Sequence, residues 1–159
     1  MTNEENEFFA QAYDEYAQML YRIAYLHTGS LQESEDILQE VFIKLIYNSP
    51  HFKNEEHKKA WLIRVTTNKC KDYIKSSRAN NLPLNENILS NKSESDKAID
   101  IQSKIISMDE KYKTVIYLFY YEDYTVKQIS SVLRLSESAV KMRLKRAREI
   151  LKKELKNYA

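Results

Sequence analysis

The side chains with the clearest chemical pattern in this 159-residue chain are basic and lie on one predicted helix. Arg64, Asn68, Lys71, Lys75 and Arg78 follow one another at intervals of 4, 3, 4 and 3 residues. On an α-helix this spacing places all five within about 80° of the circumference. Such a face suits contacts with phosphate groups, so it predicts a DNA or RNA backbone as partner; a solvated basic surface is the alternative.

The loop before that helix places an aromatic side chain among polar ones: His51, Phe52 and Lys53. Aromatic rings beside cationic groups are typical of sites where single-stranded bases stack. Core packing explains Trp61 more simply, and it leaves the role of Phe52 open.

A second basic segment has the layout of a helix-turn-helix. The pattern predicts a short helix at Val126–Leu133, a turn, Ser136 as N-cap, and a longer helix from Glu137 to about Asn157. Apolar residues at helical spacing form the expected packing seam of the longer helix: Val140, Leu144, Ala147, Leu151 and Leu155. Residues away from the seam, mostly polar or basic, are expected in a major groove: Ser138, Lys141, Met142, Lys145 and Arg146. An amphipathic helix with a basic solvent face is the alternative.

An acidic helix is predicted from Ser30 to about Tyr47. Its expected core stripe is Leu31, Leu38, Val41, Phe42 and Leu45. The opposite side mixes carboxylates with apolar residues: Asp36, Gln39, Glu40, Ile43 and Tyr47. This mixture favours a protein-partner surface, although single exposed apolar residues are common.

The formal net charge of +2 conceals alternating blocks along the chain. Residues 1–52 carry a net charge of −7, residues 53–81 carry +5, residues 82–124 carry −3, and residues 125–159 carry +7. Two separated basic blocks predict two contacts with a polyanion, and the acidic blocks are then available for other partners.

Enzymatic chemistry has little support in the sequence. His27, His51 and His57 lack metal-ligand spacing with Cys70, and the carboxylates around Asp36 have no nucleophile beside them. One Cys closes no internal disulfide, and no apolar run approaches the roughly 20 residues of a membrane span. We therefore expect a cytoplasmic protein that is not an enzyme and has no metal, cofactor or small-molecule substrate.

The composition predicts an all-α fold, because one Gly and two Pro are too few for turn-rich β folds. Capping boxes mark three helix starts: Thr2/Glu5, Ser30/Glu33 and Thr125/Gln128. Gly29 is expected to end the first helix. The Asn- and Ser-rich stretch after residue 79 predicts a flexible linker, which gives two small helical domains at 1–79 and 96–159 joined by a linker at 80–95.

With these segments in place, the chain resembles the sigma-70 family of bacterial RNA polymerase initiation factors, in its extracytoplasmic-function (ECF) group. The segment SEDILQEVFIKL from Ser34 is similar to region 2.2 of that family. HKKAWLIRVTTNKCKDYIK from His57 is similar to regions 2.3–2.4, and YTVKQISSVLRLSESAVKMRLKRAREIL from Tyr124 to region 4.2. The three similar segments occur in this order across nearly the whole chain.

The resemblance implies a factor that binds core RNA polymerase and directs promoter-specific initiation, as a monomer when free. In the family, the region 2.2 helix docks on the clamp coiled coil of the β′ subunit, which implies that Asp36, Gln39, Glu40 and Ile43 contact core polymerase. The region 2.4 helix and its preceding loop hold the melted −10 element, which implies roles for His51, Phe52, Lys53, Arg64, Asn68, Lys71 and Lys75. The region 4.2 helix recognises the −35 duplex, which implies roles for Lys141, Met142, Arg143, Lys145 and Arg146. The resemblance also implies contacts with the β subunit and inhibition by an anti-sigma factor, often membrane-anchored.

Two residues depart from the family pattern. Arg134 stands in the turn where the family usually has Gly, so the turn adopts an ordinary conformation or bears a cost of about 1 kcal/mol or more. Met142 stands where Ser is frequent, and an apolar side chain there favours a thymine methyl over a hydrogen bond. An operator-binding regulator is the main alternative, although it needs only one basic DNA face and usually a dimer seam. A helical interaction protein that binds no nucleic acid leaves the +7 segment unexplained.

Overall fold

A computed structural model of the chain describes residues 2–80 and 96–156, with side chains at 2–76 and 101–153. Within these residues the secondary structure is seven helices: α1 (Asn3–Thr28), α2 (Leu31–Asn48), α3 (Glu55–Asn80), α4 (Asp96–Ser107), α5 (Glu110–Tyr120), α6 (Val126–Leu133) and α7 (Glu137–Lys156). The chain divides into two compact units, Met1–Leu82 and Pro83–Ala159. The predicted all-α fold in two small helical domains is confirmed. The predicted linker lies outside the described residues from position 81 onward.

The turn between α1 and α2 is built around Gly29, which adopts a left-handed conformation with φ 66°. Its N–H donates to the Tyr25 carbonyl at 2.8 Å, so it satisfies an acceptor at the helix end. The buried hydroxyls of Thr28 and Ser34 lie 3.1 Å apart across the turn, and Ser30 caps α2 by accepting a hydrogen bond from the Glu33 N–H. The short turn brings the two helices together as an antiparallel pair.

The first unit is a bundle in which α1, α2 and α3 all pack against one another. Its largest fully buried side chains come from all three helices: Leu20, Ile23, Val41, Leu45, Leu62 and Ile63. Burial of this kind stabilises a helix far more than its intrinsic propensity does, so the core determines which faces of α2 and α3 remain exposed.

The second unit packs α5 and α6 against α7, with α4 also on α7. Its core contains Ile105, Val115, Ile116, Leu118, Ile129 and Leu144. The capping box of Thr125 and Gln128 is present at the start of α6. In the described ranges, none of the helices is long and apolar enough to cross a membrane.

The predicted core stripe of α2 is wrong at one residue. Leu31 is 46% exposed, because it is the first residue of α2 and burial on that helix begins only at Ser34. On α1, Tyr13 is 51% exposed and lays its ring against Phe42, with 5.0 Å between the ring centroids. Helical periodicity predicts the face on which a residue lies but not whether the first turn of the helix is covered.

Candidate nucleic-acid and partner interfaces

The outer face of α2 exposes both acidic and apolar side chains to solvent. Asp36, Gln39 and Glu40 are exposed, Ile43 is 54% exposed and Tyr47 is 74% exposed. The helix buries its other side in the bundle through Ile37, Leu38, Val41, Phe42 and Leu45. An exposed Ile and Tyr beside carboxylates form a surface able to exclude water from charge-assisted contacts with a basic, partly apolar protein surface.

The carboxylates on this face have partners of different kinds. Asp36 accepts a hydrogen bond from the Gln32 amide on the same helix, with 3.3 Å between Nε2 and Oδ1. Glu40 faces α3, where its Oε2 lies 3.7 Å from Lys69 Nζ. Sequence spacing did not assign Lys69 to any face, because the helix periodicity of α3 alone does not show which neighbour it meets.

A shallow groove of about 320 Å³ between α1 and α2 also escaped the sequence analysis. Tyr13, Tyr21, Leu38 and Gln39 are among its lining residues, so it adjoins the outer face of α2. Burial raises the pKa of Tyr21, and the nearby Glu35 carboxylate raises it further. The groove draws its lining from both helices, so the pattern of either helix alone does not predict it.

The predicted basic face of α3 is present on the described part of the helix. Asn68, Lys71 and Lys75 are exposed, whereas Arg64 is half-buried. The Arg78 side chain lies outside the described side chains. The exposed members form a cationic and amide-bearing strip that suits phosphate contacts.

The loop 49–54 carries the residues predicted to meet an unpaired base. His51 and Lys53 are exposed, and Phe52 is half-buried. The Phe52 ring makes edge contacts with Trp61 and His57, with centroid separations of 5.5 and 5.3 Å. Phe52 thus belongs to an aromatic cluster at the surface. Part of its ring is packed against neighbouring rings, and part remains exposed.

The backbone of this loop is tied to the first turn of α3. The Lys53 N–H donates to His57 Nδ1 at 3.1 Å, and the His57 N–H donates to Asn54 Oδ1 at 2.8 Å. Asn54 is therefore the N-cap of α3. In the described part of the chain, no group of three His, Cys, Asp or Glu residues is placed to hold a metal.

The start of α3 is also anchored to α1. The Tyr16 hydroxyl donates to Glu55 Oε2 at 2.7 Å, and Lys58 Nζ lies 2.9 Å from Glu55 Oε1. The hydrogen bond from Tyr16 makes the larger contribution and the contact with Lys58 the next, and both hold the pKa of Glu55 below its usual value. Lys58 is buried, with its ammonium 4.8 Å from the centroid of the Phe8 ring. The first turn of α3, the helix that carries the basic strip, is therefore held against α1.

The helix-turn-helix is formed by α6, a three-residue turn and α7. Arg134 adopts φ 56° and ψ 45°, the left-handed region, and its N–H donates to the Ser130 carbonyl. Of the two alternatives set by the sequence, the turn thus takes the conformation that Gly would adopt more readily. Ser136 caps α7 by accepting from the Ala139 N–H at 3.0 Å.

The exposed side of α7 matches the predicted DNA-facing set. Val140, Leu144 and Ala147 are buried, Leu151 is half-buried, and Leu155 lies outside the described side chains. Met142 is 53% exposed. The other exposed residues of the set are Ser138, Lys141, Lys145 and Arg146.

Arg143 differs from the rest of that set. It is half-buried, and its Nη1 donates to the Lys111 carbonyl on α5 at 3.3 Å. Arg148 likewise contacts α5, by donating to the Tyr120 hydroxyl and by lying 5.3 Å from the Phe119 ring centroid. Two arginines of α7 thus hold α5, a role that the charge pattern could not distinguish from a DNA contact.

Two family models match the chain in succession. The model of Sigma-70 region 2 matches residues 12–80, and the model of Sigma-70, region 4 matches residues 99–151. The first match spans most of α1 and all of α2 and α3. The second runs from within α4 to residue 151, so it includes α6, the turn and most of α7.

Curated relatives and a solved structure are similar over nearly full length. The ECF RNA polymerase sigma factor SigW of Bacillus subtilis is 29% identical, covering 96% of this chain and 91% of the relative. The ECF RNA polymerase sigma factor SigL of Mycobacterium tuberculosis is 28% identical, covering 83% and 80%. The sigma factor RpoE of Bartonella quintana, solved in complex with the anti-sigma factor NepR, superposes with a TM-score of 0.78 at 18% identity, covering 94% of this chain and 98% of that chain. This last match concerns the fold.

Proposed function

Because this chain belongs to the sigma-70 family of bacterial RNA polymerase sigma factors, in the ECF group, we propose that its two helical units contact two separate promoter elements. The protein is a transcription initiation factor rather than an enzyme: it binds core RNA polymerase and directs initiation to promoters. The observation that carries the proposal is the order of three exposed surfaces along the chain. These are the acidic face of α2, the basic strip of α3 with its aromatic loop, and the basic face of α7.

The outer face of α2 is the proposed contact with core polymerase, through Asp36, Gln39, Glu40 and Ile43. The exposure of Ile43 supports this role, because covering an exposed apolar side chain with a partner stabilises the complex. The expected partner surface is the basic clamp coiled coil of the β′ subunit. The neighbouring groove between α1 and α2 enlarges the apolar area available to it.

The first unit is also the proposed reader of the −10 element as a melted strand. Asn68, Lys71 and Lys75 offer phosphate and base-edge contacts, while Phe52 offers a ring for stacking. Arg64, being half-buried, is expected to contribute at the edge of this surface. An aromatic ring that stacks on a base and cationic groups that contact phosphates suit an unpaired strand, which has no major groove.

The second unit is the proposed reader of the −35 element as duplex. An exposed helix after a helix-turn-helix turn fits the major groove with its N-terminal turns deepest. Ser138, Lys141 and Met142 occupy those turns, and Lys145 and Arg146 follow toward the phosphates. Arg143 is expected to act on DNA only if its contact with α5 is released.

Control by an anti-sigma factor is part of the same proposal. ECF membership supports it, and the solved structure with a similar fold is a sigma factor held by an anti-sigma factor. A cytoplasmic location follows from the proposed partners, because core polymerase and promoter DNA are found there.

The proposal is tested by selection of promoters from a random DNA library with the complex of this protein and core polymerase. The selected sequences are expected to contain two conserved blocks. Thymines in the downstream block are expected to react with permanganate, as unpaired bases do, while those in the upstream block stay protected. Selection of a single palindromic block that the protein binds without polymerase would instead identify an operator-binding regulator.

A further inference from the structure

The loop 49–54 and the first turn of α3 form an unusual capping arrangement. In a capping box, a Glu or Gln at the third helical position reaches back to the N–H of the N-cap residue. Here the third helical residue is His57, and its Nδ1 accepts from the N–H of Lys53, one residue before the N-cap Asn54. The imidazole therefore extends the cap into the loop.

His57 holds the loop through two independent contacts. Its Nδ1 fixes the backbone at Lys53, and its ring meets the Phe52 ring at 86° with a centroid separation of 5.3 Å. Nδ1 can accept this hydrogen bond only when it carries no proton itself. Both loop residues that this contact fixes belong to the proposed −10 surface.

We propose that His57 is a positioning residue for −10 recognition, which fixes the loop so that Phe52 and Lys53 are preorganised for an unpaired base. The inference rests on the proposed function of the loop. Preorganisation matters because a loop that must be ordered on binding lowers affinity by the cost of ordering it. His57 is half-buried on the first turn of α3, so its loss changes the loop far more than the bundle core.

Three substitutions separate the two contacts. His57→Gln keeps a side-chain acceptor at a position where capping boxes use Gln, and it removes the ring. His57→Phe keeps a ring beside Phe52 and removes the acceptor. His57→Ala removes both and serves as the reference for full loss.

The experiment measures binding of each holoenzyme, assembled with purified core polymerase, to a single-stranded oligonucleotide that carries the −10 element of a selected promoter. We expect His57→Phe and His57→Ala to weaken this binding by about tenfold, the scale of losing a helix cap, and His57→Gln to bind within about twofold of wild type. Core binding and the −35 duplex affinity are expected to stay unchanged in all three. Wild-type affinity in His57→Phe, or equal weakness of His57→Gln and His57→Ala, overturns the proposal.

Amide hydrogen exchange in the free protein gives a second measurement that needs neither polymerase nor promoter. The Lys53 amide is expected to be protected in wild type and His57→Gln and to exchange faster in His57→Phe and His57→Ala, while amides in the bundle core stay protected in all four proteins. Equal exchange in all four proteins overturns the inference. Failure of the wild-type holoenzyme to bind the −10 strand would contradict the proposed function, whereas the variant pattern contradicts only the role of His57.

Discussion

Glu40 on α2 and Lys69 on α3 form an ion pair, with 3.7 Å between carboxylate and ammonium. The pair joins the helix proposed to dock on core polymerase to the helix proposed to hold the −10 strand. Both groups are partly exposed, so the pair contributes at most about 1 kcal/mol to folding. Substitution of Glu40 therefore also removes the carboxylate partner of Lys69 on α3, whereas substitution of Asp36 leaves that pair in place.

Asp36→Arg is therefore the sharper test of the polymerase contact. A reversed charge at the centre of the outer face of α2 is expected to weaken binding to core polymerase by about tenfold or more, because like charges then face each other. Fluorescence-anisotropy titration of labelled protein with core enzyme measures this. Glu7→Arg, the same change at an exposed site near the start of α1, is the control and should bind as wild type does. Equal affinity of Asp36→Arg and wild type would remove α2 from the interface.

Arg134→Gly is expected to stabilise the protein by about 1 kcal/mol. In the left-handed conformation of Arg134, the Cβ atom lies too close to the backbone carbonyl oxygen, and Gly has no Cβ. Urea unfolding of the full chain, monitored in the second unit, measures the gain. Arg134→Ala keeps a Cβ while it removes the same charge, so it should show no such gain. If the Gly and Ala variants unfold at the same urea concentration, backbone strain at this turn is absent.

Met142→Ser is expected to change −35 sequence preference. The exposed thioether favours a thymine methyl, whereas a hydroxyl favours a hydrogen-bonding base edge. Promoter activity across all single-base −35 variants, measured with both proteins, gives the two preference profiles. The prediction is a weakened preference for thymine at one position in Met142→Ser, and an unchanged profile contradicts it.

Lys145→Ala and Arg143→Ala are expected to act on different properties. Lys145 is exposed, so its loss should weaken duplex binding and reduce the slope of log affinity against log salt concentration by about 1. Arg143 holds the Lys111 carbonyl on α5, so its loss should lower stability by about 1 kcal/mol and leave the slope unchanged. Salt titrations and urea unfolding on both variants measure the two effects. An equal fall of the slope in Arg143→Ala would place that side chain on DNA.

The sequence predicted the elements well, because local signals mark them. The turn glycine Gly29 and the Thr125 capping box lie where backbone chemistry requires them. Helical periodicity also separated most buried residues from exposed ones. It was wrong at Leu31, which is exposed in the first turn of α2.

The site was less predictable wherever a tertiary contact decides the role. Nothing local distinguishes Arg143, which holds α5, from Lys145, which is exposed. The same holds for His57: its acceptor function depends on the path of the loop before α3, which no helix pattern describes. Asn54 and His57 lie three residues apart at the start of α3, a spacing that is typical of a helix cap.

Run-off transcription on fragmented genomic DNA shows whether this protein directs initiation by core polymerase. Purified core polymerase is incubated with and without this protein, in the absence of any activator ATPase, and the 5′ ends of the transcripts are mapped. We expect discrete start sites that require the protein, and their loss with Asp36→Arg. Identical transcripts with and without the protein would contradict its assignment as an initiation factor.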